Sequence, residues 1–176
     1  MSAATPRSTR SGSRPVLRGL DLSLLRLLRT RGHSPAVEAA IARGSALGEH
    51  GILWYALAAL GALVDPGRRA LYLRAMRAVL FAFVANQAVK LLVPRPRPRL
   101  EGLPPLTSTL SDRSYPSAHA ATSFAAARTL PVPCPRAPLY ALATVMALSR
   151  PYLGVHYPSD TVAGAALGDA VARLLP

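Results

Sequence analysis

Apolar residues fall along this chain in long runs broken by short polar stretches, and the runs read as helices. Ser45 to Val64 is apolar apart from Glu49 and His50 one turn inside, and it approaches the ~20 residues that cross a bilayer. Asp65-Pro66-Gly67-Arg68-Arg69 makes a tight turn. Ala70 to Val93 then forms a second run, with Arg74 and Arg77 near its start and Asn86, Gln87 and Lys90 near its end. Pro94 to Pro116 is a polar, proline-rich connection, and a loop of that length without a helical pattern points to function or mobility. Shorter runs follow at Ser117 to about Leu130, Leu139 to about Ser149 and Ser159 to Leu175, with a Pro-rich turn at 131 to 138. The pattern predicts an all-α, polytopic membrane bundle of about five transmembrane helices.

Ahead of the bundle, residues 1–18 carry Arg7, Arg10, Arg14 and Arg18 among Ser, Thr, Pro and Gly and read as a disordered basic tail. Leu20, Leu24, Leu27 and Leu28 mark one helical face, with Arg26, Arg29 and Arg31 able to meet anionic headgroups. This predicts an N-terminal amphipathic interfacial helix; the apolar stretch is too short, and too broken by Asp21 and Arg26, for a signal peptide. Pro35 to Arg43 can continue along the surface as a second short helix. The chain thus divides into a tail at 1–18, an interfacial region at 19–44 and a membrane domain at 45–176. Trp54 is expected to face lipid, Tyr152 and Tyr157 to sit in an interface belt, and Asn86, Gln87 and Asp169 to be structural. Gly164 and Gly168 make a small-xxx-small face, suited to packing within the chain or to a homo-oligomer contact.

Composition agrees with a membrane domain: 51% of the 176 residues are hydrophobic. A net charge of +13, from 21 Lys and Arg against 8 Asp and Glu, calls for anionic partners, whether lipid headgroups, phosphate substrates or nucleic acid. Cys134 is the single cysteine, which excludes an intrachain disulfide and a cysteine-based zinc cluster.

The candidate chemistry lies between apolar runs. In Ser149-Arg150-Pro151-Tyr152-Leu153-Gly154-Val155-His156-Tyr157-Pro158-Ser159-Asp160, a helix predicted to begin near Pro158 places Asp160 close under His156. A carboxylate on one imidazole nitrogen fixes the tautomer and raises the nucleophilicity of the other. The forked Arg150 guanidinium can hold two phosphate oxygens. Taken alone, the stretch fits equally well as polar residues at a helical corner near the membrane surface. Two further clusters fall at the same end of an up-down bundle: Lys90 through Arg97-Pro98, and Pro116-Ser117-Ala118-His119 opening a helix, where backbone amides form an anion site. Together they describe a phosphate pocket with two histidines and three cations.

These pieces closely resemble the signature of the type 2 phosphatidic acid phosphatase family. Lysine, six residues, then Arg-Pro is met by Lys90, Arg97 and Pro98; Pro-Ser-Gly-His by Pro116-Ser117-Ala118-His119, with alanine in place of glycine; and Ser-Arg, five residues, histidine, three residues, aspartate by Ser149, Arg150, His156 and Asp160. The resemblance implies a metal-independent lipid phosphate phosphatase with no cofactor and a phosphohistidine intermediate. In that scheme His156, oriented by Asp160, attacks phosphorus, and His119 protonates the leaving oxygen. Lys90, Arg97, Arg150, Ser117 and amides near Ala118 neutralise the phosphoryl oxygens. The Cβ of Ala118 forbids torsions open to glycine and bears on the fit of the pocket. Glu49 and His50 are candidates for the pocket or the lipid path, or for an interhelical hydrogen bond, and Arg95 and Arg99 for solvent or lipid phosphates.

Small size, a basic amphipathic N-terminus and Gly-Val-His-Tyr-Pro-Ser-Asp are also similar to short actinobacterial members that remove the 5-phosphate from decaprenylphosphoryl-phosphoribose. Undecaprenyl pyrophosphate, phosphatidic acid and phosphatidylglycerophosphate are alternative substrates. A membrane-tethered nucleic-acid binder would use Arg95-Pro96-Arg97-Pro98-Arg99, but it leaves His119, His156 and Asp160 without a role, and 6% aromatic residues supply few stacking platforms. A zinc hydrolase lacks the usual paired-ligand helix. Arg7, Arg10, Arg14, Arg18, Arg26, Arg29, Arg31 and Arg43 outnumber Arg68, Arg69 and Arg136 in the opposite turns, so the positive-inside rule places the N-terminus and active site of this plasma-membrane protein on the cytoplasmic side.

Overall fold

The computed structural model describes residues 13–131 and 135–175. Arg7, Arg10 and Cys134 lie outside the described residues. Among the described residues seven α-helices follow in chain order: α1 Ser13–Thr30, α2 Pro35–Ala46, α3 Ile52–Val64, α4 Arg69–Leu92, α5 Ala118–Thr129, α6 Ala137–Tyr152 and α7 Pro158–Leu174. There is no strand among the described residues, only isolated bridges pairing Pro96 with Arg113 and Leu100 with Leu103 inside the long loop.

The first helix starts at Ser13, so the last third of the expected tail is helical. It has two unlike faces. Leu17, Leu20, Leu24 and Leu27 are exposed, whereas Asp21, Leu25 and Arg29, one turn apart, are buried where α1 meets α6 and α7. Ser34 caps α2 by accepting from the Val37 N–H, ahead of Pro35 in the first turn.

The run Ser45 to Val64 is not one helix. It breaks between α2 and α3, with His50 at φ 52° and Gly51 at φ 80°, and the two helices are bent by 47°. Glycine at 48 and 51 permits the break. A Cβ on Gly48 would stand 2.9 Å from the His119 ring, and one on Gly51 2.8 Å from Val79. The kink therefore presses backbone directly onto α5 and α4.

The helix Pro66–Leu92, containing α4, is long and apolar enough to cross a membrane by itself, and the bent α2–α3 pair passes the same test taken together. By length and composition, then, the described residues hold one such span, or two if the bent pair counts, rather than the five expected. The shortfall has a physical origin in α5. Its 12 residues are largely enclosed by α4, α6 and α7, and Ala120, Ala121, Ala125, Ala126 and Ala127 are all fully buried. A helix shielded by protein has no need of a lipid-facing apolar surface, and alanine lets its neighbours approach closely.

Gly164 and Gly168 complete that approach. Cβ atoms there would lie 2.3 Å from the Ser117 carbonyl oxygen and 2.0 Å from that of Ala121. Both glycines face α5, which corrects the homo-oligomer alternative: their surface is already covered inside the chain.

Trp54 is also corrected. It is fully buried, because its indole N–H donates to Ser123 Oγ at 2.9 Å. Asp169 ties Arg128 at 2.9 Å and Arg173 at 2.7 Å, and Asn86 donates to the Pro116 carbonyl at 3.1 Å. Gln87 is exposed. The helix ends opposite the Pro94 to Pro116 loop carry Arg74, Arg77, Arg128 and Arg173 besides Arg68, Arg69 and Arg136. Of these, Arg74 donates to the Leu175 carbonyl and Arg128 and Arg173 pair with Asp169, just as Arg29 at the other end is held by the Pro104 and Tyr152 carbonyls.

Candidate active site

The break after α2, the loop between α4 and α5, the first turn of α5 and the α6–α7 corner meet at one end of the bundle. His156 closes a tight corner. The Gly154 N–H donates to the Pro151 carbonyl and the Val155 N–H to the Arg150 carbonyl, with Gly154 at φ 78°. The imidazole is 2% exposed. Its Nε2 lies 3.1 Å from an Arg97 guanidinium nitrogen, and its Nδ1 stands 3.6 Å from Asp160 Oδ2, beyond hydrogen-bond length and without another partner. Burial pushes the imidazole down to about 4; Asp160 pulls it back up, while Arg97 and Arg150 push it further down. That favours the neutral ring at ordinary pH, the form in which an imidazole can act as a nucleophile.

Asp160 is fully buried in the first turn of α7, one oxygen accepting from the Tyr157 N–H at 2.9 Å and the other from Arg95 at 2.8 Å. Arg95 is therefore held by carboxylates, although its side chain stays 26% exposed. Arg99 is exposed. Tyr157 places its ring under the Arg95 guanidinium, 3.9 Å from the centroid. Tyr152 stacks on His33 at 4.1 Å.

Arg97 is fixed by donating to the Ser111 and Val155 carbonyls, each at 2.7 Å. Arg150, 5% exposed, donates to Ser45 Oγ at 2.9 Å, and its Nε has no partner. Lys90, in the last turn of α4, lies close enough to Arg97, Arg150, Asp160 and Glu49 to feel each charge. Among the described residues no carboxylate comes within ion-pair distance of Lys90, Arg97 or Arg150, although Asp21, Asp160 and Asp169 each pair with other arginines. Three concentrated, unpaired cations form a site that needs an anion.

Ser117 caps α5 and is fully buried, its N–H donating to the Asp160 carbonyl at 2.9 Å. Ala118 is the first residue of α5 with a negative φ, so no torsion reserved for glycine is required and its Cβ carries no backbone strain. His119 Nε2 meets the Ser45 carbonyl at 3.0 Å and stands 3.9 Å from Glu49 Oε2. A carbonyl only accepts, so that nitrogen carries a hydrogen. Glu49 thus belongs to the site's rim. His50 does not: it is exposed, with its ring edge-on to Phe83 at 5.6 Å. Among the described residues no three His, Cys, Asp or Glu side chains gather as metal ligands would.

Sequence reasoning missed Ser45, Asp21 and Arg95 as parts of this end of the molecule. The one signal for Asp21 was a lone acid on a helix of leucine and arginine. For Arg95 it was alternation, since Arg95 and Arg97 share a face of an extended segment.

Comparison with known proteins points the same way. The PAP2 superfamily matches residues 71–176. The chain is similar to decaprenylphosphoryl-5-phosphoribose phosphatase of Mycobacterium tuberculosis, at 43% identity over 141 residues and 77% of each chain. It is similar also to the protein of that name from Mycolicibacterium smegmatis, at 38% identity over 151 residues, covering 84% of this chain and 82% of the relative. Among solved structures it resembles Aquifex aeolicus LpxE, with a TM-score of 0.76 and 26% identity over 88% of this chain and 93% of that one. The fold is shared with a transmembrane PAP2 type phosphatidylglycerolphosphate phosphatase from Bacillus subtilis, with a TM-score of 0.74 and 20% identity over 93% of this chain and 86% of that one.

Proposed function

The chain belongs to the PAP2 superfamily and is a membrane-associated phosphatase, and from that premise we propose that it hydrolyses a phosphomonoester on a polyprenyl-linked lipid through a phosphohistidine at His156, without a metal. The observation that carries this reading is the clustering of Arg97, Arg150 and Lys90, none ion-paired among the described residues, around a buried histidine whose Nε2 faces Arg97.

The Nε2 lone pair attacks phosphorus, the ester P–O bond breaks, and His119 passes its proton to the departing oxygen. Water then attacks phosphorus as His119 takes its proton, which restores the acid; the N–P bond breaks, His156 regains its lone pair, and inorganic phosphate leaves. Arg97, Arg150 and Lys90 hold the three equatorial oxygens throughout, which is the stabilisation that phosphoryl transfer most requires. Relatives named decaprenylphosphoryl-5-phosphoribose phosphatase support the 5-phosphate of that lipid as the substrate.

Purified protein in detergent, with a chelator present, should release phosphate from decaprenylphosphoryl-5-phosphoribose faster than from phosphatidic acid, phosphatidylglycerophosphate or undecaprenyl pyrophosphate. His156→Ala should be inactive and form no acid-labile phosphoenzyme. Loss of activity in chelator would sink the metal-independent mechanism, and preference for another lipid would replace the substrate.

A further inference from the structure

We propose that Asp21 and Arg95 are positioning residues for the chemical step: α1, through Asp21, sets Arg95 and the first turn of α7, and these fix Asp160 against His156. The inference rests on the phosphohistidine reading above.

Asp21 is 7% exposed on a helix whose other side is open. One of its oxygens accepts from the Ser159 N–H at 2.9 Å; the other accepts from Ser159 Oγ and from Arg95, the latter at 2.7 Å. Ser159 lies in the first turn of α7, where free N–H groups seek acceptors. Asp21 therefore caps α7 from another helix, and α7 carries Asp160. Burial alone would raise the Asp21 carboxyl, but the bonds from Arg95 and Ser159 outweigh it and hold the group below its usual value.

Arg95 is the second half of the device. Its free arm donates to Asp160 Oδ1 and to Ser159 Oγ, each at 2.8 Å, its face covers Tyr157, and its carbonyl accepts from the Ser114 N–H at 2.8 Å. A fully buried carboxylate needs a counter-charge, and here the cation is itself held by a second carboxylate from α1. The arrangement meters Asp160. It stays close enough to orient the imidazole, while its negative charge is shared with Arg95, leaving the histidine neutral. Arg29, two turns after Asp21, adds another strap by donating to the Pro104 carbonyl at 2.7 Å. A helix serving only as a membrane anchor requires neither contact.

A tie that merely holds α1 in place would change stability and leave the electrostatics of His156 alone. The charged and titratable groups facing His156 and Asp160 are Asp21 from α1, Glu49 from the kink, Lys90 from α4, Arg95 and Arg97 from the loop, His119 from α5 and Arg150 from α6. Removing the Arg95 charge leaves Asp160 freer to hold a proton on the imidazole, and removing the Asp21 charge does the reverse.

The test is the His156 protonation midpoint, read by imidazole 15N NMR of the full chain in detergent, together with kcat. The midpoint should rise in Arg95→Gln, fall in Asp21→Asn and return close to wild type in Arg95→Lys. Arg95→Gln should lose roughly tenfold to hundredfold in kcat, the scale for residues that orient a reacting group, with KM changed far less. Unmoved midpoints with lowered kcat would reduce the contact to a structural tie, and wild-type values throughout would overturn it as well. If Arg95→Gln does not fold, Asp21→Asn decides by its downward shift. Residual turnover in His156→Ala, assayed alongside, would instead bring down the phosphohistidine reading and this inference with it.

Discussion

In the proposed mechanism the Arg97 guanidinium, 3.1 Å from His156 Nε2, is the group that meets charge on the equatorial oxygens. Its Ser111 and Val155 carbonyl contacts hold it there before substrate arrives. Arg97→Ala should therefore lose about 3 kcal/mol of transition-state stabilisation, roughly 10² to 10³ in kcat. The loss should be similar for good and poor leaving groups, because the oxygens it neutralises do not depart. His119→Ala should behave otherwise. With only the proton to the leaving oxygen removed, an activated aryl phosphate should be turned over much closer to the wild-type rate than an alkyl phosphate. Rate ratios for the two ester types in both variants check the division of roles, and equal losses in His119→Ala would remove the assignment. These residues were legible in the sequence because spacing relative to Lys90, Pro116 and Ser149 identifies them one by one. Arg95 was not legible: nothing local separates it from Arg97, and only the fold shows one reaching the carboxylate and the other the imidazole.

At the scale of elements, the site depends on how closely α7 lies against α5. Gly168→Ala would put a methyl group 2.0 Å from the Ala121 carbonyl oxygen, and Gly164→Ala would put one 2.3 Å from that of Ser117, the residue just before the α5 phosphate amides. Backbone oxygens cannot turn aside, so the helices must separate, at a cost of about 1 to 3 kcal/mol for overpacking. Gly164→Ala should lower both the thermal midpoint in detergent and kcat. Gly19→Ala, in α1 with nothing within 4 Å, should be neutral or slightly stabilising. Equal midpoints for the two variants would contradict the packing. The helices themselves were readable from hydrophobic runs, since each run has to satisfy its own backbone in lipid. The kink before α3 was not, because an apolar stretch containing two glycines is compatible with a straight span. What breaks it is the room that Gly48 leaves for His119, a residue far along the chain. Ser45 went unseen for the same reason, its Arg150 partner lying 105 residues away.

For the whole molecule, on the five-span reading, in which α6 and α7 also cross the bilayer, the lengths of the outer helices set a preference for membrane thickness. At 1.5 Å per residue, the 16 residues of α6 and 17 of α7 give about 24 and 26 Å, short of the ~30 Å hydrocarbon core of an ordinary bilayer. The 24 residues of α4 exceed it at about 36 Å. A long helix can tilt, whereas a short one thins the surrounding lipid, snorkels its flanking residues or associates with other helices, at a fraction of a kcal/mol for each ångström of mismatch. The ends of α6 and α7 carry Arg136, Arg150 and Arg173, and the corner between them holds His156. Thick lipid would therefore pull polar groups and the corner that holds His156 toward hydrocarbon. In nanodiscs of phosphatidylcholine with graded chain length, both thermal midpoint and turnover should peak at about 14 to 16 carbons and decline by 20 to 22. Chain-length series at fixed temperature, with all lipids fluid, isolate thickness from phase behaviour. An optimum at the longest chains would mean that the corner and the helix ends tolerate hydrocarbon, and the active site would then have to be shielded by the Pro94 to Pro116 loop rather than by the headgroup layer.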